Sequence, residues 1–398
     1  MKISVRVNEL AESATLAVAS KAAALKAAGV DVIGFGAGEP DFDTPEHIKA
    51  AATQALAQGY TRYPKPPSGL PEAKEAIRLK FKRDSGLDYA ESQVIVTAGC
   101  KMACYLALHA LVDPGDEVLI PVPYWVSFPE MVKLAGGRPV FVESSGGRGF
   151  SFPADQIADS VTPRSRVMIV NSPNNPGGFV YCESDLRAAA ELARAHDLVV
   201  LADETYDRLT FGGRRHVSLA SLNDDAYGRT VTVNSASKTY AMPGWRIGFA
   251  AGPEPIIAAM AKLQSQTTSG VAPFTQLALA RALVGDQECV DRMRDEFEAR
   301  GRHVAHRLNE IPGVQCPEPE GAFYAFPRVA ECYPRLGVDG SIAFADRLLS
   351  EANVSVTPGV AFGCDDRVRL SFATSMKLID TGLDRLAAWL APARAPAH

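Results

Sequence analysis

The sequence predicts an α/β protein with a large domain on a mostly parallel sheet flanked by helices, plus a smaller α+β domain assembled from both chain ends. Three observations predict it. Between residues 93 and 251, seven short apolar runs (93–97, 117–120, 138–142, 167–171, 198–202, 230–234 and 247–251) alternate with helical stretches such as 101–112, 125–135 and 183–196. Strands separated by helices make βαβ units, whose sheet is covered on both faces, so its strands read as continuous apolar runs. Helical pattern then dominates from 253 to 310, including a long amphipathic run from Gln287 to Leu308. Beyond it, strands near 322–328, 354–357 and 367–372 mix with helices 341–352 and 377–390. The expected division is an N-terminal arm with part of the small domain over 1–45, the large domain over 46–285 and the small C-terminal domain over 286–398.

From the N-terminus, an amphipathic helix is expected over Thr15 to Ala28, stopped by Gly29, then a short strand from Val32 to Phe35. Residues 36–45 are rich in Gly, Pro and Asp and read as a shaped loop. Thr44-Pro45-Glu46 then opens a helix, with Thr44 as the capping residue and Pro45 at the first position. A Pro- and Tyr-rich loop around Tyr60 to Ser68 precedes a helix from about Leu70 to Arg83.

Composition narrows the function. The chain has 398 residues, is 47% apolar and 22% charged, and balances 41 basic against 46 acidic side chains for a net charge of −5. That balance argues against nucleic acid or an acidic membrane as partner, so any anion site must be built locally from a few cations. No apolar run approaches the ~18 residues of a membrane span. The seven cysteines include no CxxC pair and read as reduced thiols of a cytoplasmic protein without a signal peptide. His303 and His306 lie in a polar helical stretch and read as a solvated face.

In open parallel sheets, ligands bind beyond the carboxyl ends of the strands, so the residues just past each run are informative. After 93–97 comes Ala98-Gly99-Cys100-Lys101, where glycine lets backbone N–H groups at a helix start approach an anion. After 117–120, Trp125 offers an aromatic face, although a core tryptophan would fit the same pattern. After 167–171 comes Asn171-Ser172-Pro173-Asn174-Asn175-Pro176-Gly177-Gly178, whose X-Pro bonds are candidates for the cis form that would aim an asparagine amide. After 198–202, Asp203 is a carboxylate next to Val199-Val200-Leu201-Ala202, and burying it is costly unless a cation or donors meet it. After 230–234 comes Ser235-Ala236-Ser237-Lys238, with Arg246 eight residues beyond the lysine. A lone Lys238 would be an ordinary surface lysine more often than not. The set of strand ends outweighs that reading, because together they suit an aldehyde, a phosphate, a protonated pyridine nitrogen and a phenolic oxygen. Pyridoxal phosphate has all four.

With these residues assembled, the chain resembles the fold-type I pyridoxal-phosphate enzymes, specifically the class I and II aminotransferases. Ser235 to Gly248 fits that family's lysine signature, and the likeness runs from Ser13-Ala14-Thr15 through Gly36-Ala37-Gly38-Glu39-Pro40-Asp41-Phe42 to Arg367-Val368-Arg369-Leu370-Ser371-Phe372. It looks closest to the bacterial aspartate aminotransferase branch Iβ. The resemblance implies that Lys238 joins the cofactor aldehyde and then shuttles the substrate proton. It implies that Asp203 pairs with the pyridine N–H, that Tyr206 and Asn175 hold the phenolic oxygen and that Trp125 stacks on the ring. Gly99, Cys100 and Lys101 backbone N–H groups, Ser235, Ser237, Arg246 and Tyr63 of a second subunit would bind the phosphate. Arg369 would fork the substrate α-carboxylate with help from Asn175 and the Gly38 backbone, which suits planar two-point recognition. The implied protein is a homodimer acting on small amino acids and 2-oxo acids.

The branch associates Lys101, Ser13 and Thr15 with substrates carrying a second carboxylate, which favours aspartate or glutamate; the competing role for Lys101 is to neutralise the phosphate helix. Prephenate-using relatives tend to carry a lysine two residues before Ser-Ala-Thr, where this chain has Ala11. Residues 267–273 depart from the family pattern, and Gly177 stands where threonine is usual. A lyase on the same fold would share the cofactor residues but break a bond at Cβ or Cγ. A nicotinamide enzyme is disfavoured because no GxGxxG follows a strand. A DNA-binding regulator is disfavoured because no basic helix-turn-helix precedes residue 15.

Overall fold

The computed structural model describes residues 2–8, 10, 14–143 and 150–391. Strand β1 (Ile33–Gly34) precedes a seven-stranded sheet formed by β2 (Val94–Thr97), β3 (Glu117–Val122), β4 (Arg138–Glu143), β5 (Ser165–Asn171), β6 (Val199–Asp203), β7 (Thr230–Ser235) and β8 (Gly248–Ala251), in the order β2-β8-β7-β6-β5-β3-β4. Four short strands come after them: β9 (Tyr324–Ala325), β10 (Val354–Ser355), β11 (Thr357–Pro358) and β12 (Val368–Ser371). All seven expected runs are strands of the one sheet.

The continuous apolar runs are explained by burial on both faces. Ile120, Ile169, Leu201 and Val233 pack on one side with Leu108 and Met260. Leu119, Val170, Val200 and Ala202 pack on the other with Leu186, Ala189 and Ala193 of the helix Glu183–Ala195. Successive residues thus enter different cores, as the period of two requires.

One strand runs against the rest. β8 is antiparallel to both β2 and β7, with Gly248 opposite Thr97 on one side and Ser235 on the other. Its amino end therefore lies at the rim where the other strands have their carboxyl ends. Arg246, two residues before β8, reaches that rim for this reason.

The chain ends meet in a separate core. β1 pairs in parallel with β10, and β11-β12-β9 form an antiparallel sheet. Phe35 packs there with Phe297, Phe323, Leu370 and Leu383. The loop after β1 is tied to the helix Glu288–Asn309 by buried Arg300, which donates to both oxygens of Asp41 at 2.7 and 2.9 Å. The expected strand at 322–328 is only two residues long, with Ala322 in a left-handed conformation (φ 59) before it and Pro327, which lacks a ladder donor, after it. The run 354–357 divides because β10 pairs with β1 while β11 pairs with β12. Thr44 does not cap the helix Glu46–Ala57; Pro45 occupies the cap position. The Thr44 hydroxyl instead donates to the Ala241 carbonyl at 2.6 Å and accepts from Trp245 Nε1 at 3.0 Å, joining the first loop to the lysine segment. The short helices Ala154–Ser160 and Asp224–Arg229 add to the expected set. On the long helix, His303 contacts Asp380 and His306 contacts Glu310, an ion-paired helix surface.

Gly248 marks a tight contact between sheet and rim. A Cβ there would lie 2.6 Å from the Cys100 backbone nitrogen and 2.9 Å from the Asn234 carbonyl oxygen. Gly248→Ala must push β8 away from backbone that cannot yield. It is expected to cost about 1–3 kcal/mol in urea unfolding; a loss within experimental error would mean the rim is compliant.

Candidate active site

The carboxyl-end rim encloses a cavity of about 480 Å³. Of the residues named from the sequence, Gly38, Cys100, Lys101, Trp125, Asn175, Asp203, Tyr206, Ser235, Ser237, Lys238, Arg246 and Arg369 all line it. A wider cavity of about 610 Å³ near Arg83, Arg208 and Arg294 holds none of them.

Lys238 follows β7 in the one-turn helix Ala236–Thr239, and its Nζ donates to the Gly38 carbonyl. Burial pushes its amine down to about 8; Arg369 and Arg246 act in the same direction and Glu39 opposes them. Asp203 ends β6. Its carboxylate accepts from the Thr205 N–H at 3.1 Å and faces Cys100 Sγ at 3.6 Å, and no cation pairs with it among the described residues. Burial accordingly pushes its carboxyl up.

The turn after β6 is pinned. Asn171 Nδ2 donates to the Asp203 carbonyl at 3.1 Å, and Asn234 Nδ2 donates to the Glu204 carbonyl at 2.9 Å. The buried Glu204 carboxylate accepts from Ser218 Oγ at 2.8 Å, and Asp207 pairs with buried Lys80. These contacts fix where Asp203 and Tyr206 point. Tyr206 and Tyr324 share a hydroxyl–hydroxyl hydrogen bond at 2.9 Å.

Asn175 sits between two cis X-Pro bonds, Ser172-Pro173 and Asn175-Pro176. Its Oδ1 accepts from Arg369 Nη1 at 3.0 Å. Arg369 is buried, with Nη2 on the Gly36 carbonyl at 3.1 Å, its guanidinium 4.5 Å from the Tyr324 ring centroid, and Nε without a partner. Gly36 thus accepts from Arg369, while Gly38 accepts from Lys238. Arg367 instead donates to the Phe326 carbonyl at 3.0 Å and lies 4.8 Å from the Phe150 ring centroid.

Gly99 has φ 87 and precedes the helix Cys100–Leu111. A Cβ there would meet Arg246 Nη2 at 2.5 Å, so glycine is needed both for the backbone and for the arginine's approach. The first-turn N–H groups of that helix have no intrahelical partner. Lys101 Nζ lies 5.0 Å from the Trp125 ring centroid, in cation–π range.

Two described residues named from the sequence, Gly99 and Tyr63, are not among those lining the cavity. Tyr63 is 81% exposed. Ser13 and the reference position Ala11 lie outside the described residues, as does the side chain of Thr15; Ala19 of the same helix, Ala14–Ala27, lines the cavity. Residues Gly270, Val271 and Ala272 line a neighbouring hollow that shares Arg246. Gly177 now has a reason: a Cβ would lie 2.4 Å from the Phe179 ring. Tyr324 and Thr205 also line the cavity and escape sequence reasoning; the only available signal is that each lies in or just past a predicted strand segment.

The aminotransferase class I and II family model matches residues 30–386. The chain belongs to the class I and II aminotransferases. It is 48% identical to the aspartate aminotransferase of Geobacillus stearothermophilus over 97% of this chain and 98% of that protein. It is 43% identical to the aspartate/prephenate aminotransferase of Nitrosomonas europaea over 98% of this chain and all of that protein. The solved aspartate aminotransferase from Rhizobium meliloti superposes with a TM-score of 0.94 at 40% identity, covering 98% of this chain and 99% of that one. The aminotransferase has the fold-type I architecture, and no helix among its described residues is long and apolar enough to cross a membrane.

The depressed Lys238 amine has a measurable consequence. Only the neutral amine attacks a carbonyl, and an ordinary lysine becomes neutral near pH ~10.4. Trapping of an aromatic aldehyde on Lys238 by borohydride, read by mass spectrometry, is expected to rise with pH and level off above about 8. A rate still climbing beyond pH ~10 would contradict this environment.

Proposed function

We propose that this aminotransferase uses pyridoxal phosphate to exchange an amino group between an acidic L-amino acid, aspartate or glutamate, and a 2-oxo acid in a ping-pong cycle. One observation carries the reading: among the described residues, four cationic side chains, Lys101, Lys238, Arg246 and Arg369, face a cavity whose lining has a single carboxylate, Asp203. Setting aside Lys238 as the reactive amine, three cations remain for a phosphate and two carboxylates.

The cavity fits the cofactor on its own chemistry. Asp203 is a buried carboxylate lacking a cation, which a protonated pyridine nitrogen would supply, and the Gly99–Arg246 approach beside free helix N–H groups suits a phosphate. The backbone N–H groups of Gly99, Cys100 and Lys101, with Ser235, Ser237 and Arg246, would hold that phosphate; Trp125, Asn175 and Tyr206 would hold the ring. When bound, the cofactor supplies the carbonyl that condenses with amines and the electron sink that makes a Cα proton removable.

The protein does the rest. Arg369 takes the substrate α-carboxylate, with Asn175 beside it. Lys101 takes the second carboxylate, together with Ser13 and Thr15. Lys238 Nζ removes the Cα proton and returns it, acting near its own amine's depressed range. Exposed Tyr63 serves a second subunit of a homodimer, and the enzyme works in the cytoplasm. Residues 46–285 act as the cofactor-binding domain, and 1–45 with 286–398 as the arm and small domain.

Lys238→Ala is expected to abolish transamination while leaving phosphate-anchored cofactor binding detectable by fluorescence; full turnover in that variant would sink the mechanism. Lys101→Ala should raise KM for aspartate about ten- to a hundredfold and spare alanine, the loss expected for one charged hydrogen bond. Equal loss with both amino acids would return Lys101 to a phosphate-side role. Single-turnover spectra that bleach fastest with phenylalanine would move the substrate to the aromatic class.

A further inference from the structure

Two thiols and a carboxylate meet at the cavity floor, and the proposed chemistry uses only the carboxylate. Cys100 and Cys104 are one turn apart on the helix Cys100–Leu111, so their side chains share a face. That face turns toward the end of β6, and the two Sγ atoms and an Asp203 carboxylate oxygen all lie within 4.8 Å of one another. Cys100 Sγ also receives a hydrogen bond from Thr205 Oγ1 at 2.9 Å. Cys104 and Asp203 are buried, while Cys100 opens to the cavity. Among the described residues no other group of three His, Cys, Asp or Glu donors is so spaced.

We propose that, before the cofactor is in place, Cys100, Cys104 and Asp203 bind a soft divalent cation of the zinc class, with a fourth position open to the cavity. Thiolate ligands select zinc or cadmium over magnesium or calcium, and three protein ligands with one open position is a familiar tetrahedral arrangement. The metal replaces one proton on each thiol, both protons pass to solvent, and no electron changes hands. Two thiolates and one carboxylate against a doubly charged ion leave one negative charge. It sits near Lys101, Lys238 and Arg246 and at the positive end of a twelve-residue helix, all of which favour it.

The metal site stands on side-chain placement alone. A second consequence rests on the proposed role of Asp203: metal and pyridine nitrogen are alternative partners for one carboxylate. A chain carrying zinc would then take up cofactor only after the metal leaves.

Cadmium is the probe, because thiolate-to-cadmium charge transfer absorbs in the ultraviolet. Titrated into the cofactor-free full-length chain, it is expected to raise that band to a plateau at one ion per chain. The plateau should be lost in Cys100→Ser and in Cys104→Ala, with circular dichroism confirming that both fold. Asp203→Asn, which leaves the thiols untouched, should weaken binding roughly ten- to a hundredfold. An unchanged band in both cysteine variants would place the ion on another thiol, such as exposed Cys182, and overturn the proposal. Pyridoxal phosphate should discharge the band from the wild-type chain. A band that depends on both cysteines yet persists beside bound cofactor would uphold the metal site and overturn the exclusion, and with it the placing of the pyridine nitrogen at Asp203.

Discussion

Asp203 is a carboxylate held in the interior with donors but, among the described residues, no cation, and much of the surrounding structure keeps it there. Burying such a group unpaired is costly: burial pushes its carboxyl up, and the group would also escape by local rearrangement if the backbone allowed it. The backbone does not allow it. β6 is flanked by β5 and β7, Asn171 and Asn234 grip the carbonyls of residues 203 and 204, and Glu204 and Asp207 are tied into the protein behind the turn. Stability is lost at this one position and recovered in the hydrogen bonds around it, a pattern expected where a ligand completes the structure.

The charge arrangement obeys the same logic. A chain with a net charge of −5 gathers four cations around one hollow. The loss of water, helped by repulsion from Arg369 and Arg246, holds the Lys238 amine below its ordinary range. The same field that makes the amine reactive also draws anions in, so attraction of substrate and activation of the lysine are not separate properties.

Most of this fold was legible because sheets covered on both faces need continuous apolar strands, and the strand ends then point to the cavity. Short strands of the small lobe were less legible, since their limits depend on which sheet each residue joins, as at Val356 between β10 and β11. Arg246 shows a subtler limit. Its spacing from Lys238 is visible in the sequence, but the reason it reaches the rim is the reversal of β8, which spacing does not encode. Tyr324 was not legible because its contact with Tyr206 spans 118 positions and is made by packing alone. Tyr63 faces outward, and a role for it needs a surface that one chain lacks.

Tyr324 joins two tasks that would otherwise be independent. Its ring lies against the Arg369 guanidinium and its hydroxyl is bonded to that of Tyr206. One side chain therefore supports both the group proposed to grip the substrate and the group proposed to tune the cofactor's oxygen. Evolution cannot easily adjust one of these without disturbing the other. A lineage drifting toward new substrates would find position 324 pleiotropic, and its freedom to diversify would lie elsewhere in the lining, around Lys101.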